Sequence, residues 1–185
     1  MIDPVIAKAE EKMKGSVEAM KRELAGVRTG RASPALVEHV KIDYNGTPTP
    51  INHIASVSAS GTNLLIIQPW DLSSLHLIEK GILKANLSLT PNNDGRVIRL
   101  AIPPLSEERR QELVRLVKKI TEEQKVIVRN IRRDANESIK KLEKDKEISQ
   151  DDLKRGEAKL QKLTDAYVAQ LDQVAAAKET ELKQV

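Results

Sequence analysis

Apolar residues recur at intervals of three and four over three long stretches of the chain, and a stretch of shorter period separates the first from the second. From residue 3 to about 29, Ile6, Ala9, Met13, Val17, Met20, Leu24 and Val27 keep the helical interval and predict an α-helix with one apolar stripe. Asp3 is placed to cap its N-terminus, and Pro4 suits the first helical position, where its missing N–H would have no partner anyway. Gly15 and Gly26 each weaken this helix by roughly 1 kcal/mol relative to alanine, so it needs partner helices.

From about residue 31 to residue 104 the period changes. HVKIDY alternates apolar and polar residues as a half-buried strand does, NGTPTP is a turn cluster, and TNLLIIQP reads as a short apolar strand ended by proline. DLSSLHLIEKGILKA returns to helical spacing with Leu75, Ile78, Ile82 and Ala85. PNNDG marks a second turn, and RVIRLAI is another alternating strand. Ser56, Ser58 and Ser60 are expected at a strand edge or in a loop. The strands are too few and too interrupted for a nucleotide-binding fold.

PPLSEERR then opens a second long helix, with Ser106 as N-cap and Glu107 and Glu108 at the positive end of the dipole. Leu113, Val117, Ile120, Ile127, Ile131, Ala135 and Leu142 form its expected inward track, interrupted by Gln124 and Ser138. A third helix starts at ISQDDL, where Ser149 and Asp152 have the spacing of a capping box and Ile148 can staple to Leu153. Leu160, Leu163, Tyr167, Leu171, Val174 and Leu182 continue its stripe. Three such helices bury one another as a bundle. The predicted fold is α+β: an elongated three-helix bundle of residues 1–30 and 105–185, with residues 31–104 inserted as a small β/α/β domain. The chain crosses between the two near Gly30–Arg31 and near Pro103–Pro104, few enough connections to permit a hinge.

Composition narrows the function. Cysteine is absent, which excludes disulfides, thiolate chemistry and Cys-ligated zinc. No apolar run approaches the roughly 20 residues that span a bilayer. MIDPVIAKAEE carries acids where a targeting peptide would be basic or acid-poor, so a cytoplasmic protein without membrane contact is expected. Enzyme signatures are thin. His39, His53 and His76 are scattered without a partner motif, and TGRASP lacks the Lys-[ST] ending of a phosphate loop and follows a helix. KDKEISQDD lacks the glycine and spacing of a calcium loop.

Charge is more telling. Residues 106–146 hold 13 basic and 9 acidic residues, an excess equal to the net charge of +4 of the whole chain. At about 100° per residue, Arg115, Lys118, Lys125, Arg129, Arg132, Arg133 and Lys140 fall within an arc of roughly 100° on the second helix. A merely solvated face, an RNA phosphate surface and an acidic protein surface are all compatible with this arc. Arginine-rich ridges suit phosphates. Tyr44, Trp70 and Tyr167 are the only aromatics, which argues against stacking of splayed single-stranded bases and for folded RNA.

Six segments carry a resemblance to a known family. VRTGRASP, YNGTPTP, LSLTPNNDG, IPPLSEERR, VRNIRRDAN and KDKEISQDD resemble the bacterial ribosome recycling factors, in that family's order and over essentially the whole chain. Trp70 and HLIEKGILKAN depart from the family's usual wording. The resemblance implies an L-shaped protein and a non-catalytic function. It implies binding to the 70S ribosome after termination, on the 23S rRNA of the 50S subunit. With elongation factor G and GTP, the ribosome would then be split into subunits and released from mRNA. The GTP is bound and hydrolysed by the elongation factor, so no cofactor or metal of the chain's own is implied, and a monomer is expected. Carried over by motif, the rRNA contacts fall on Arg132, Arg129, Arg133 and Arg110, with Arg28 and Arg31 near the junction. The hinge falls on Gly30, Arg31, Pro103, Pro104 and Leu105.

Overall fold

A computed structural model describes residues 1–184. The elements run α1 (Asp3–Ala25), β1 (Lys41–Tyr44), β2 (Thr47–Pro50), β3 (Ala55–Ser60), β4 (Leu64–Pro69), α2 (Leu75–Lys84), β5 (Pro91–Asn93), β6 (Ile98–Ala101), α3 (Glu107–Lys144) and α4 (Gln150–Lys183). They group into two compact units, Met1–Leu24 with Gln111–Gln184, and Ala25–Arg110. The chain is thus α+β, a helical unit interrupted by a small β-rich one.

In the helical unit, α1, α3 and α4 share one core. Ala9 of α1, Ala135 and Ile139 of α3 and Leu160 of α4 form a buried cluster, and Ile2, Val5, Ile6, Ile131, Ile148 and Leu153 pack against it. Gly156, in the first half of α4, is what lets the helices approach: an added Cβ there would lie 3.1 Å from Ile139 Cδ1 and 3.7 Å from Ile2 Cδ1. The capping box forms as its spacing predicts, with Ser149 Oγ accepting from the Asp152 N–H and the Asp152 carboxylate from the Ser149 N–H. Ser106 Oγ likewise accepts from the Arg109 N–H at the start of α3. Two expectations fail at α1. The helix ends at Ala25 rather than near 29, since Gly26 is the poorest helix former short of proline. Asp3 is its first helical residue rather than its cap, and the Ile6 N–H bonds to the Ile2 carbonyl.

The β-rich unit holds a two-stranded sheet, β1–β2, and a four-stranded antiparallel sheet in the order β3-β4-β6-β5. NGTPTP is more than a turn. Asn45 and Gly46 turn at φ 52° and 82°, as a two-residue hairpin requires, and Thr47–Pro50 pairs with β1. Pro48 and Pro50 are tolerated because a two-stranded sheet is all edge. The serine run forms β3, an edge strand, and PNN forms β5, so the predicted second turn shrinks to the residues around Asp94 and Gly95. There the Asp94 carboxylate accepts from the Arg96 and Val97 N–H groups and pairs with Arg99, which holds its pKa down at about 2. The core is aliphatic: Ile42, Ile51, Leu65, Ile67, Ile78, Ile98, Leu100 and Ile102 are all fully enclosed.

Candidate nucleic-acid interface

The basic face of α3 depends on which way the helix turns its core side. The buried residues of α3 are Leu113, Val117, Ile120, Thr121, Val128, Ala135 and Ile139. Ile127, expected inside, is 43% exposed while its neighbour Val128 is 0% exposed. Ile131 and Leu142 are only partly buried. On the helical wheel the true core track is rotated by roughly 35° from the expected one, toward the basic arc. Thr121 joins the core because its hydroxyl donates to the Val117 carbonyl one turn back, at 2.7 Å.

The rotation divides the basic residues into two groups. Arg132 and Lys125 stand at the edge of the arc nearest the core, and both turn against α4. Arg132 is only partly exposed. Its guanidinium Nη1 donates to Gln161 Oε1 at 2.6 Å, and Gln161 Nε2 in turn donates to Asp165 Oδ1 at 2.9 Å. Arg132 Nε is enclosed without a hydrogen-bond partner, as is Asn136 Oδ1 one turn further on. Lys125 Nζ lies 2.7 Å from Asp172 and 3.5 Å from Glu122, with its side chain 15% exposed. Lys125 therefore ties α3 to α4. Arg129 and Arg133, by contrast, are exposed and make no ion pair among the described residues, and Arg115, Lys118 and Lys140 are exposed beside them on the arc. The structure thus offers one guanidinium held in place and two that reach freely into solvent. That combination suits phosphate oxygens, which an arginine fork can meet in bidentate fashion.

The other predicted contacts belong to the β-rich unit. Arg110 sits in the first turn of α3, its Nη1 2.8 Å from Glu107 and its Nε enclosed without a partner. Arg28 and Arg31 are partly buried and, like Arg110, belong to the β-rich unit. The predicted hinge residues belong to the same unit, where the two connecting segments lie side by side. Gly30 has φ 76°, and a Cβ there would stand 3.1 Å from the Leu105 backbone nitrogen. Ala32 and Ile102 donate to the Thr62 and Asn63 carbonyls, both at 2.7 Å, so one β3–β4 turn holds both segments.

Sequence reasoning missed the α4 side of the site. Gln161, Asp165 and Asp172 are spaced by four and seven residues, which places them on one helical face. That spacing was the available signal. Another face of α4 carries Tyr167, whose hydroxyl donates to Glu10 Oε1 of α1 at 3.2 Å. Its hydrogen bond and ion pair to Asp172 hold the Lys125 pKa above the usual 10.5, and burial, reinforced by the Glu10 charge, pushes Tyr167 above 10.0. Both groups keep their protons longer in the folded protein. Their stabilisation is complete below about pH 10 and is lost as pH rises through the folded values. Thermal unfolding of the helical unit between pH 9 and 11 is expected to show this loss, and Asp172→Asn should flatten it; an unchanged slope in that variant would remove Lys125 as a cause.

With this geometry in place, known proteins give its context. The family model described as "Ribosome recycling factor" matches residues 20–182. The chain belongs to the ribosome recycling factor family. A ribosome-recycling factor of Dehalococcoides mccartyi is 59% identical over 185 residues, covering all of both chains, and one of Oleidesulfovibrio alaskensis is 54% identical over 184 residues, again covering both entirely. The solution structure of a ribosome recycling factor superposes with a TM-score of 0.84 at 47% identity, covering 100% of this chain and 98% of that one. A second structure holds a T. thermophilus recycling factor and E. coli elongation factor G bound to the E. coli post-termination complex. Its recycling factor superposes with a TM-score of 0.70 at 44% identity, covering 98% of each chain. The family is one of translation factors without catalysis of their own.

Proposed function

We propose that the protein, acting as a cytoplasmic monomer, binds the post-termination 70S ribosome on its large subunit. Arg129, Arg132 and Arg133 meet 23S rRNA phosphates, and Arg110, Arg28 and Arg31 add further contacts. With elongation factor G and GTP it promotes dissociation into subunits and release from mRNA. The helical unit serves as the RNA-binding domain, and the inserted unit receives the push of the GTP-hydrolysing factor. Gly30, Arg31, Pro103, Pro104 and Leu105 act as the hinge. The observation that carries this reading is the exposed, unpaired Arg129–Arg133 pair beside a pre-positioned Arg132. The complex of a related recycling factor with elongation factor G supports the partner assignment.

Co-sedimentation with purified 50S subunits at rising salt tests the binding half, because counterion release makes phosphate binding weaken steeply with ionic strength. Salt-independent binding would point to a protein target instead. Replacing Pro103 and Pro104 by glycine tests the other half. Subunit splitting with elongation factor G and GTP is expected to drop several-fold while 50S binding stays within about twofold. Equal loss of both would rule out a hinge.

A further inference from the structure

The inserted unit carries a groove whose lining includes none of the rRNA-contact or hinge residues proposed above. It lies between α2 and β1, has a volume of about 440 Å³, and is bordered by Lys41, Lys80 and Lys84, with Leu77 and Val40 among its apolar walls. The groove follows from how α2 docks. An added Cβ at Gly81 would clash with Ile42 Cδ1, so the glycine lets the helix settle on β1 while the longer side chains spread to either side. Leu77 is 36% exposed, and Leu83, on the same helix, is 59% exposed.

Charge decides what fits. None of the three lysines makes an ion pair among the described residues, and Asp43 is the single acid of the lining. Lysine stems cover apolar surface while their heads stay in water, so the walls are greasy and the rim is cationic. No arginine lines the groove and the His39 imidazole is its single aromatic ring, which leaves it without the guanidinium forks and paired stacking platforms that nucleic acids use. From the unpaired lysines around Leu77 and Val40 we infer that this groove docks an acidic segment of a partner protein. One aliphatic side chain of that segment enters between the lysine stems, and its flanking carboxylates meet Lys41, Lys80 and Lys84. The inference uses no residue of the α3 face and stands whether or not that face binds rRNA.

The test titrates the ¹⁵N-labelled full-length protein with the peptide Glu-Asp-Leu-Leu-Asp-Glu, followed by NMR and by anisotropy of a fluorescein-labelled copy. Saturable shifts confined to residues 39–43 and 77–85 are expected. The double variant Lys80→Glu/Lys84→Glu should bind at least about tenfold more weakly, as should a peptide with both leucines replaced by serine on the unaltered protein. Absence of shifts in those segments, equal binding by the charge-reversed variant or the serine peptide, or equal competition by an RNA hexamer would each overturn the proposal.

Discussion

Replacing Arg129, Arg132 and Arg133 together by alanine is expected to weaken binding to the large ribosomal subunit by a few hundredfold at about 0.1 M salt. Each phosphate neutralised on a nucleic acid releases close to one counterion, which near that salt concentration is worth roughly a factor of eight per contact. Three contacts compound to the stated loss, and the slope of log affinity against log salt should flatten by about two to three. Folding should survive. Arg129 and Arg133 are exposed and hold no ion pair among the described residues. Arg132 gives up one exposed hydrogen bond to Gln161, and its enclosed, unpartnered Nε goes with it. A made hydrogen bond contributes about 1 kcal/mol, and an orphaned donor costs about as much, so the two changes offset. Loss of affinity with an unchanged unfolding midpoint is the expected pair of results. Retained affinity would remove the triad from the interface, and a collapsed midpoint would make Arg132 a structural residue.

How much of this was readable in the sequence follows from what each element must bury. The three long helices are legible because a helix with one covered face has to repeat its apolar residues every three or four positions. Their exact facing is not. Ile127 and Val128 are adjacent and almost equally hydrophobic, and the packing of α3 in its bundle decides that Val128 turns inward. Thr121 and Thr164 hide in the core because each hydroxyl is satisfied by a carbonyl one turn back, a local bond that hydrophobic patterning does not register. The missed strands have a different cause. β2 is Thr-Pro-Thr-Pro and β5 is Pro-Asn-Asn. Edge strands can carry proline and polar residues without alternation, so they imitate turns. Of the candidate site, the exposure of Arg129 and Arg133 is a property of one helix and could be read from its wheel. The anchoring of Arg132 by Gln161 joins residues 29 positions apart and belongs to tertiary structure alone.

The rigidity of the basic face has a test of its own in the core behind it. Ile139→Ala is expected to destabilise the helical unit by about 3–5 kcal/mol, the upper part of the range for such truncations, lowering its Tm by roughly 12–40 °C. Ile139 is 0% exposed, and its Cδ1 rests where α4 has only Gly156, so α4 contributes no side chain at that point to fill the hole. Gly156→Ala alone should gain little. Alanine favours the helix by about 1 kcal/mol, but its methyl would press to 3.1 Å from Ile139 Cδ1, and the fully buried isoleucine would have to shift to admit it. Combined, the two changes relieve one another, because the new methyl enters the volume that Ile139 vacated. The double variant should therefore be more stable than additivity predicts by roughly 1–2 kcal/mol in urea unfolding, as expected for residues in direct contact. Additivity within about 0.5 kcal/mol would mean that the closeness of α3 and α4 is not set at Gly156. Below its lowered Tm the Ile139→Ala protein should still bind 50S subunits, since every arginine of α3 remains in place.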